Sequence, residues 1–501
     1  MKLRLLNASV CSRRHEEAEG FVMTLRPPPH VGGYSSSARG NAFILVAVLV
    51  LIMLISMIAV SLMFHLKAED TATHAGAGAE QAWSAAMSGV QEAIRLVAKA
   101  KPGSTDWEDN PRALKDRLVF DDASERWYFT VYSAASSDDA LHELRYGLTA
   151  EAGKLNLNAA HSTNLIHLPR MTAPLIAALR DFIDFDDTLR PEGAEQEYYD
   201  TLPRPYAVRN GPLETLDEVL LVRGFTPSLL YGEDQNMNWC LDLNENDGDE
   251  RFPSDNNDGK LDRGLSPFVT VSSYDVNEDN SGVPRTDINL SNDPLPNVEF
   301  PAALTNFISI LRTNKLRLGH AAELLEGKIK IKDDKGKEIE IASGVGKDEL
   351  PQVLDLFTSS QDSRFDGLID INSASIAVLR TIPGIDEPLA ESIVSARRSI
   401  SPERRTTIAW LFQEGVVDAA QFKQLAPLLT ARSFQYSFRV VGYGVPSGRY
   451  RVLDVIIDVA GEQPRISYLR DLTRLGMPFP ITGPEAVPAA QASKPKEVRR
   501  G

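Results

Sequence analysis

Asp and Asn alternate in three short stretches of this chain, and alternating oxygen-bearing side chains followed by glycine suit a hard divalent cation. The stretches are "DLNENDGDE" from Asp242, "SDNNDGKLD" ending at Asp262, and "DVNEDNSG" from Asp275. Asp242, Asn244, Asp275, Asn277 and Asp279 are the candidate ligands here. Calcium takes about 6–8 oxygens, and a glycine lets a loop turn tightly enough for them to converge. Between Glu233 and Asp293 there are 15 acidic and 4 basic residues. None of the stretches is a complete EF-hand loop, since Gly248 falls one place late after Asp242 and no Glu stands at position twelve. A solvated acidic insertion explains the same composition equally well, and both readings stay open.

Other chemistries are poorly supplied. The two cysteines, Cys11 and Cys240, flank a long apolar run and can build neither a disulfide framework nor a zinc site. The eight histidines show no HxxxH or HxH spacing, and GxGxxG, GxxxxGK[ST] and GxSxG are missing. The expectation is a protein that is not an enzyme. A formal charge of −16 over 501 residues argues against a nucleic-acid partner.

Residues Ala42 to Phe64 form 23 consecutive uncharged positions without Gly or Pro. As a helix they reach about 34 Å, enough to cross a hydrocarbon core of roughly 30 Å. Ahead of them stand Lys2, Arg4, Arg13, Arg14, Arg26 and Arg39 against Glu16, Glu17 and Glu19. The positive-inside rule therefore places residues 1–40 in the cytoplasm and the acidic remainder across the membrane. The expected localisation is a single-pass inner-membrane protein with a large periplasmic part. Arg39-Gly40 at the mouth of the apolar run resembles a type IV prepilin processing site. That likeness implies cleavage after Gly40 by a prepilin peptidase, methylation of Asn41 as the new first residue, and Leu45 where most pilins carry Glu.

The elements that would position these residues are also legible. Ala75, Ala79, Ala82, Ala86, Val90, Ile94 and Val97 extend a helical stripe, so one helix is expected from about 42 to 100. Strand patterns occupy 126–133 and 144–151, then return at 433–444, 449–460 and 464–472. The fold class expected is α+β: a long transmembrane and amphipathic helix on an antiparallel, pilin-like sheet, with a large, mostly helical domain inserted between the strands. The insert contains a weak duplication, "KLNLNAAHSTNLIHLPRMTAPLIAALRDFIDFDD" and "DINSASIAVLRTIPGIDEPLAESIVSARR". Asn158 and Asn372 stand where helix N-caps are expected. The second copy is similar to a helix-hairpin-helix through Asn372, Ala374, Leu379, Pro383-Gly384-Ile385, Ala390, Ile393 and Arg397. Asp386, Glu387 and Glu391 at its hairpin would repel phosphate.

The stretch 181–225 carries the most specific likeness. Asn156-Leu157-Asn158, Asp184-Phe185-Asp186, Gly193-Ala194-Glu195, Tyr198-Tyr199, Asn210, "LDEVLLVRG" and Ile371-Asn372-Ser373-Ala374 occur in order. With the prepilin-like start and Leu45, the chain resembles the type II secretion minor pseudopilins called general secretion pathway protein K. The resemblance spans about 40–230 and 365–472 and leaves 233–365 as an expansion. It implies a non-enzymatic component at the tip of a periplasmic pseudopilus, assembled with other minor pseudopilins, the major pseudopilin and the inner-membrane secretion platform. It also implies calcium in the inserted domain, with Asp184, Asp186, Asp187, Glu192, Glu195 and Glu197 as candidates. A membrane-anchored DNA-uptake receptor and a minor pilin of a type IV pilus are the alternatives. The expected organisation is a cleaved leader 1–40, a transmembrane helix 41–66, and a pilin-like part 67–153. An insert 154–432, closing strands 433–480 and a disordered tail 481–501 follow.

Overall fold

Small side chains govern how the first helix meets the sheet. In the computed structural model the described residues are 40–121, 124–136, 143–332, 338–461 and 463–480. Residues 1–39 of the expected leader and the tail 481–501 lie outside them, and of Gly40 and Asn41 only the helical backbone is described. Helix α1 runs Gly40–Ala98. The chain divides into two units, Met1–Thr73 and His74–Gly501. In the first unit every described side chain from Ile44 onward is exposed, and the apolar stretch is uninterrupted to Phe64. Among the described residues α1 is the one helix long and apolar enough to cross a membrane.

In the second unit α1 buries Ala82, Ala85, Ala86, Val90, Ala93 and Val97. The sheet beneath has the order β1 (Arg117–Asp121), β2 (Arg126–Ala134), β5 (Gln435–Val445), β6 (Tyr450–Asp458), β7 (Arg465–Asp471), with every pair antiparallel. Short strands β3 (Leu144–Arg145) and β4 (Thr149–Ala150) add to β2 and β5. The helix comes so close that a Cβ on Gly442 would stand 2.3 Å from the Ala82 carbonyl oxygen. One on Gly89 would stand 2.6 Å from Val440. The alternation of β strands sends Phe129, Val131, Phe438, Val440, Leu453 and Val455 to the helix side. Tyr128, Tyr132, Val441, Tyr443 and Val452 form a second apolar layer on the other face.

Two differences from the sequence patterns have local causes. The single strand expected over 144–151 is broken, because the backbone at Trp107 and Glu108 crosses it. A Cβ at Gly147 would lie 1.9 Å from the Glu108 carbonyl oxygen, and the Leu148 amide donates to Trp107 O at 2.9 Å. Strand β1 went unpredicted because all five of its residues are exposed, so it has no alternation of buried and polar positions.

The insert leaves the sheet after β4 and returns at β5. Its helices are short, the longest being Ala302–Thr313, and 3-10 turns and two-stranded pairings separate them. One core runs from Leu155 to Leu429, and a smaller one gathers Ile288, Leu304, Phe307, Leu311, Val353 and Phe357. The same backbone pattern occurs at both ends of the larger core. Leu155–Asn156 pairs in parallel with Val269–Thr270, and Ile369–Asp370 pairs in parallel with Leu429–Thr430. Each first strand leads through a short helix and a left-handed residue, Arg170 at φ 60° or Gly384 at φ 92°. Each then enters an eleven-residue helix, α2 (Ala173–Ile183) or α3 (Glu387–Arg397).

Asn158 and Asn372 are not N-caps. Ser375 caps the helix after Asn372, its hydroxyl accepting from the Val378 amide, and the residue at the cap after Asn158 is His161, without a side-chain bond. The two asparagines instead bridge distant carbonyls. Asn158 Nδ2 donates to Leu213 O at 2.9 Å and Val271 O at 3.1 Å. Asn372 Nδ2 donates to Arg405 O at 3.0 Å and Ala431 O at 2.9 Å. An amide carries donors as well as an acceptor, and buried carbonyls left by loops have stronger claims on those donors than a helix start has on the oxygen.

Candidate metal centre

Helix α2 ends on an acid. Asp181 is fully buried on the core side of α2, beside Phe182 and Ile183. An isolated carboxylate there would be costly, and Arg190 answers it: Arg190 Nη1 donates to Asp181 Oδ1 at 2.8 Å, and the Arg190 amide donates to Oδ2. The same guanidinium pairs with Asp184. These two carboxylates hold the Arg190 charge more firmly than usual. Gly193 must lack a side chain, because a Cβ there would stand 2.0 Å from Asp181 Oδ2.

That turn delivers Glu195 into the cluster. Glu195 is 7% exposed, and both of its carboxylate oxygens are buried without a hydrogen-bond partner. Burial first, and then the charges of Asp181, Asp184, Asp187 and Asp186, push its pKa up to about 7. Asp184 Oδ1 and Asn210 Oδ1 are further buried oxygens without a donor. Asn210 Nδ2 donates to Asp187 Oδ1 at 3.0 Å, and Asp186, exposed, accepts from the Thr188 amide at 2.8 Å. Glu192, at φ 66°, and Glu197 point their exposed side chains to solvent. The charges of Asp184, Asp186 and Asp187 thus act on Glu195, while Glu192 and Glu197 are exposed.

Four of the orphaned atoms are oxygens, the donor set that calcium takes, so their chemistry fits that ion. A fifth is a nitrogen, Arg180 Nη2 on α2, whose charge also acts on Asp184. Among the described residues no group of three His, Cys, Asp or Glu side chains is arranged to hold one ion. Asp181 and Arg190 were missed from sequence. The available signal was an Asp at a core-facing position of an otherwise apolar helix.

The other candidate ligands have separate duties. Asp242 accepts from Asn236 Nδ2 at 2.6 Å and Asn238 Nδ2 at 2.9 Å, and forms a capping box with Glu245. Glu245 is buried with each oxygen holding a backbone amide, and burial pushes its pKa up to about 7. Asn244 reaches Phe252 O at 3.4 Å. Asp275 is buried against Arg432 Nη2 at 2.7 Å and the Thr430 hydroxyl at 2.6 Å. Asn277 Nδ2 ties Ser360 O and Asp362 O, while Asp279 closes its own loop by accepting from Ser281 and Val283. These residues are not gathered round one point.

Residues 158–231 match the protein family described as "Type II secretion system (T2SS), protein K". That segment contains α2, Asp181, Arg190 and Glu195. No curated protein matches the chain. A chain in the crystal structure of the GspK-GspI-GspJ complex from the enterotoxigenic Escherichia coli type 2 secretion system is similar in structure at a TM-score of 0.38 and 12% identity. The match covers 80% of this chain and 98% of that one. Residues 158–231 thus match the type II secretion system protein K family, the one that the residues of 156–225 resemble.

Proposed function

We propose that this minor pseudopilin is a non-enzymatic subunit that terminates the type II secretion pseudopilus and serves its assembly. The observation that carries the reading is Leu45, an exposed apolar side chain on α1. Cleavage after Gly40 makes Leu45 the fifth residue of the mature chain. In related pilins a Glu at that place pairs with the N-terminal amine of the subunit above, which offsets the cost of an unpaired charge in an apolar surround. Leucine offers no such partner, and that fits a subunit at the very tip, which has nothing above it to pair with. The proposed partners are other minor pseudopilins, the major pseudopilin, the prepilin peptidase and the inner-membrane platform.

In this reading the inserted domain holds calcium through Glu195, Asp184 and Asn210. The ion would supply positive charge to buried oxygens that have no other donor. Nucleic acid is not a partner. Asp386 caps α3, accepting from the Leu389 amide at 3.0 Å, and so occupies the helix start that a phosphate would need. Gold-labelled antibody to the inserted domain on assembled pseudopili tests the terminal position. Label at one end of each filament is expected, and label along the length overturns it.

A further inference from the structure

The second face of the sheet, opposite α1, roofs over into a cavity of 240 Å³ between β5–β7 and the insert. That is near the lower end of small-ligand sites, roughly 300–1,000 Å³. Three of the ion pairs lining it are closed: Arg145 with Glu108 at 2.9 Å, Lys154 with Glu151 at 2.6 Å, and Arg470 with Asp217. Arg439 is different. It projects from the middle of β5, opposite Tyr132 on β2 and Asp454 on β6. It is 3% exposed, and its Nε and Nη1 have no hydrogen-bond partner. The nearest carboxylate oxygen, Asp454 Oδ1, stands 3.4 Å from Nε, longer than the roughly 2.7–2.9 Å of a charge-assisted bond.

Trp239 covers one face of the guanidinium at 3.6 Å. The tryptophan is held there by Asp234, which accepts the Asn238 and Trp239 amides at 2.9 and 3.1 Å. With that face covered, the in-plane N–H groups are what Arg439 offers to the cavity. Arg263, also lining it, spends both Nη groups on the Ala135 carbonyl at 3.1–3.2 Å and brings a second positive charge. A buried cation with unused in-plane donors is matched by an oxyanion, whose oxygens accept in that plane.

We propose that this cavity is a binding site for a small oxyanion, a carboxylate or a phosphoryl group, with Arg439 as the principal donor, Arg263 as the supporting charge and Trp239 as the wall. The test uses the full-length protein in detergent, titrated with sodium acetate or sodium phosphate while sodium chloride holds the ionic strength constant. Tryptophan fluorescence and thermal unfolding are followed. A saturable fluorescence change with a rise in Tm is expected for at least one anion. Response to acetate alone identifies a carboxylate ligand, and response to phosphate alone a phosphoryl one. Arg439→Gln weakens binding about tenfold or more. Asp454→Asn, which removes the carboxylate nearest Arg439 and leaves Asp234 in place, strengthens it. A linear, non-saturating response to both anions in the wild type overturns the proposal, as does unchanged affinity in folded Arg439→Gln. Should that variant not fold, unchanged or weakened affinity in Asp454→Asn overturns it.

Discussion

Gly442 lies directly beneath Ala86, so that a Cβ built on the glycine would stand 2.4 Å from the Ala86 amide nitrogen. Neither partner can yield, since one is the middle of a strand and the other the middle of α1. Gly442→Val should therefore destabilise the second unit by about 3 kcal/mol or more, beyond the usual cost of overpacking. Gly442→Ala should cost less but still measurably. Urea unfolding of the purified protein checks both, and a Gly442→Val variant as stable as wild type refutes the close approach.

Asn158 and Asn372 make a second, chemically specific prediction. At Asn372 the contribution comes from donors alone, so Asn372→Asp should cost as much as Asn372→Ala, about 1–3 kcal/mol for each buried carbonyl left without a partner. Asn158 also accepts the Leu213 amide through Oδ1 at 2.8 Å, a bond that Asp would keep. An N-cap would behave oppositely, since Asp caps as well as Asn. Comparing the two substitutions by thermal unfolding separates the roles.

Glu195 predicts a pH dependence. Its pKa of about 7 in the folded protein lies above the model-peptide value of 4.5, so the folded state holds a proton that the unfolded state has released between those limits. Stability from this group is complete below about pH 4.5 and lost as pH rises through 7. The upper limit is about 3 kcal/mol. Glu195→Gln should flatten part of that fall, with Glu245 and Asp370, at about 7 and about 6, supplying the remainder. Calcium should raise Tm in the wild type at pH 8 and do so less in Glu195→Gln. Equal shifts in both proteins would remove Glu195 from the ligand set.

Processing gives the most direct check on class. Mass spectrometry of the protein extracted from membranes should show a chain beginning at methylated Asn41. An intact Met1, or a first residue beyond Phe64, would contradict the proposed maturation. In the same cells Leu45→Glu should move gold label from filament ends into the filament body, where its charge can find an amine.

Much of the scaffold was readable because it rests on local rules. The apolar run and the alanine stripe announce α1, and the aromatic and β-branched runs announce β2, β5, β6 and β7, of which β2 and β5 are buried along nearly their whole length. β1 escaped because an exposed edge strand such as "RLVFD" is specified by the pairing of β2 rather than by its own pattern. The acidic cluster was only half legible. Asp184, Asp186, Asp187 and Glu195 were picked out by likeness, but the pairing of Asp184 and Asp181 with Arg190 depends on a turn that folds back onto α2. Asp275 looked like a ligand for the same reason in reverse, since its partner Arg432 lies 157 positions away in sequence. Local sequence shows what an atom can do; the long-range chain path decides which partner it meets.

The neighbouring strands β2 and β5 also set an order of events in time. The 300 residues between Ala134 and Gln435 must be synthesised before those strands can pair. Loop-closure entropy grows only slowly with length, about 0.6 kcal/mol per doubling, so the detour costs little at equilibrium. Its cost is kinetic, because distant pairings form late. The insert shortens that search. Once it folds, Ala150 and Tyr436, which face each other across β4 and β5, become the two sides of a narrow neck. This topology predicts that the inserted domain folds before the sheet that carries it closes. A lesion in its core should appear first as slow or failed strand closure, with protease cutting between β2 and β5, before any loss of assembly is seen.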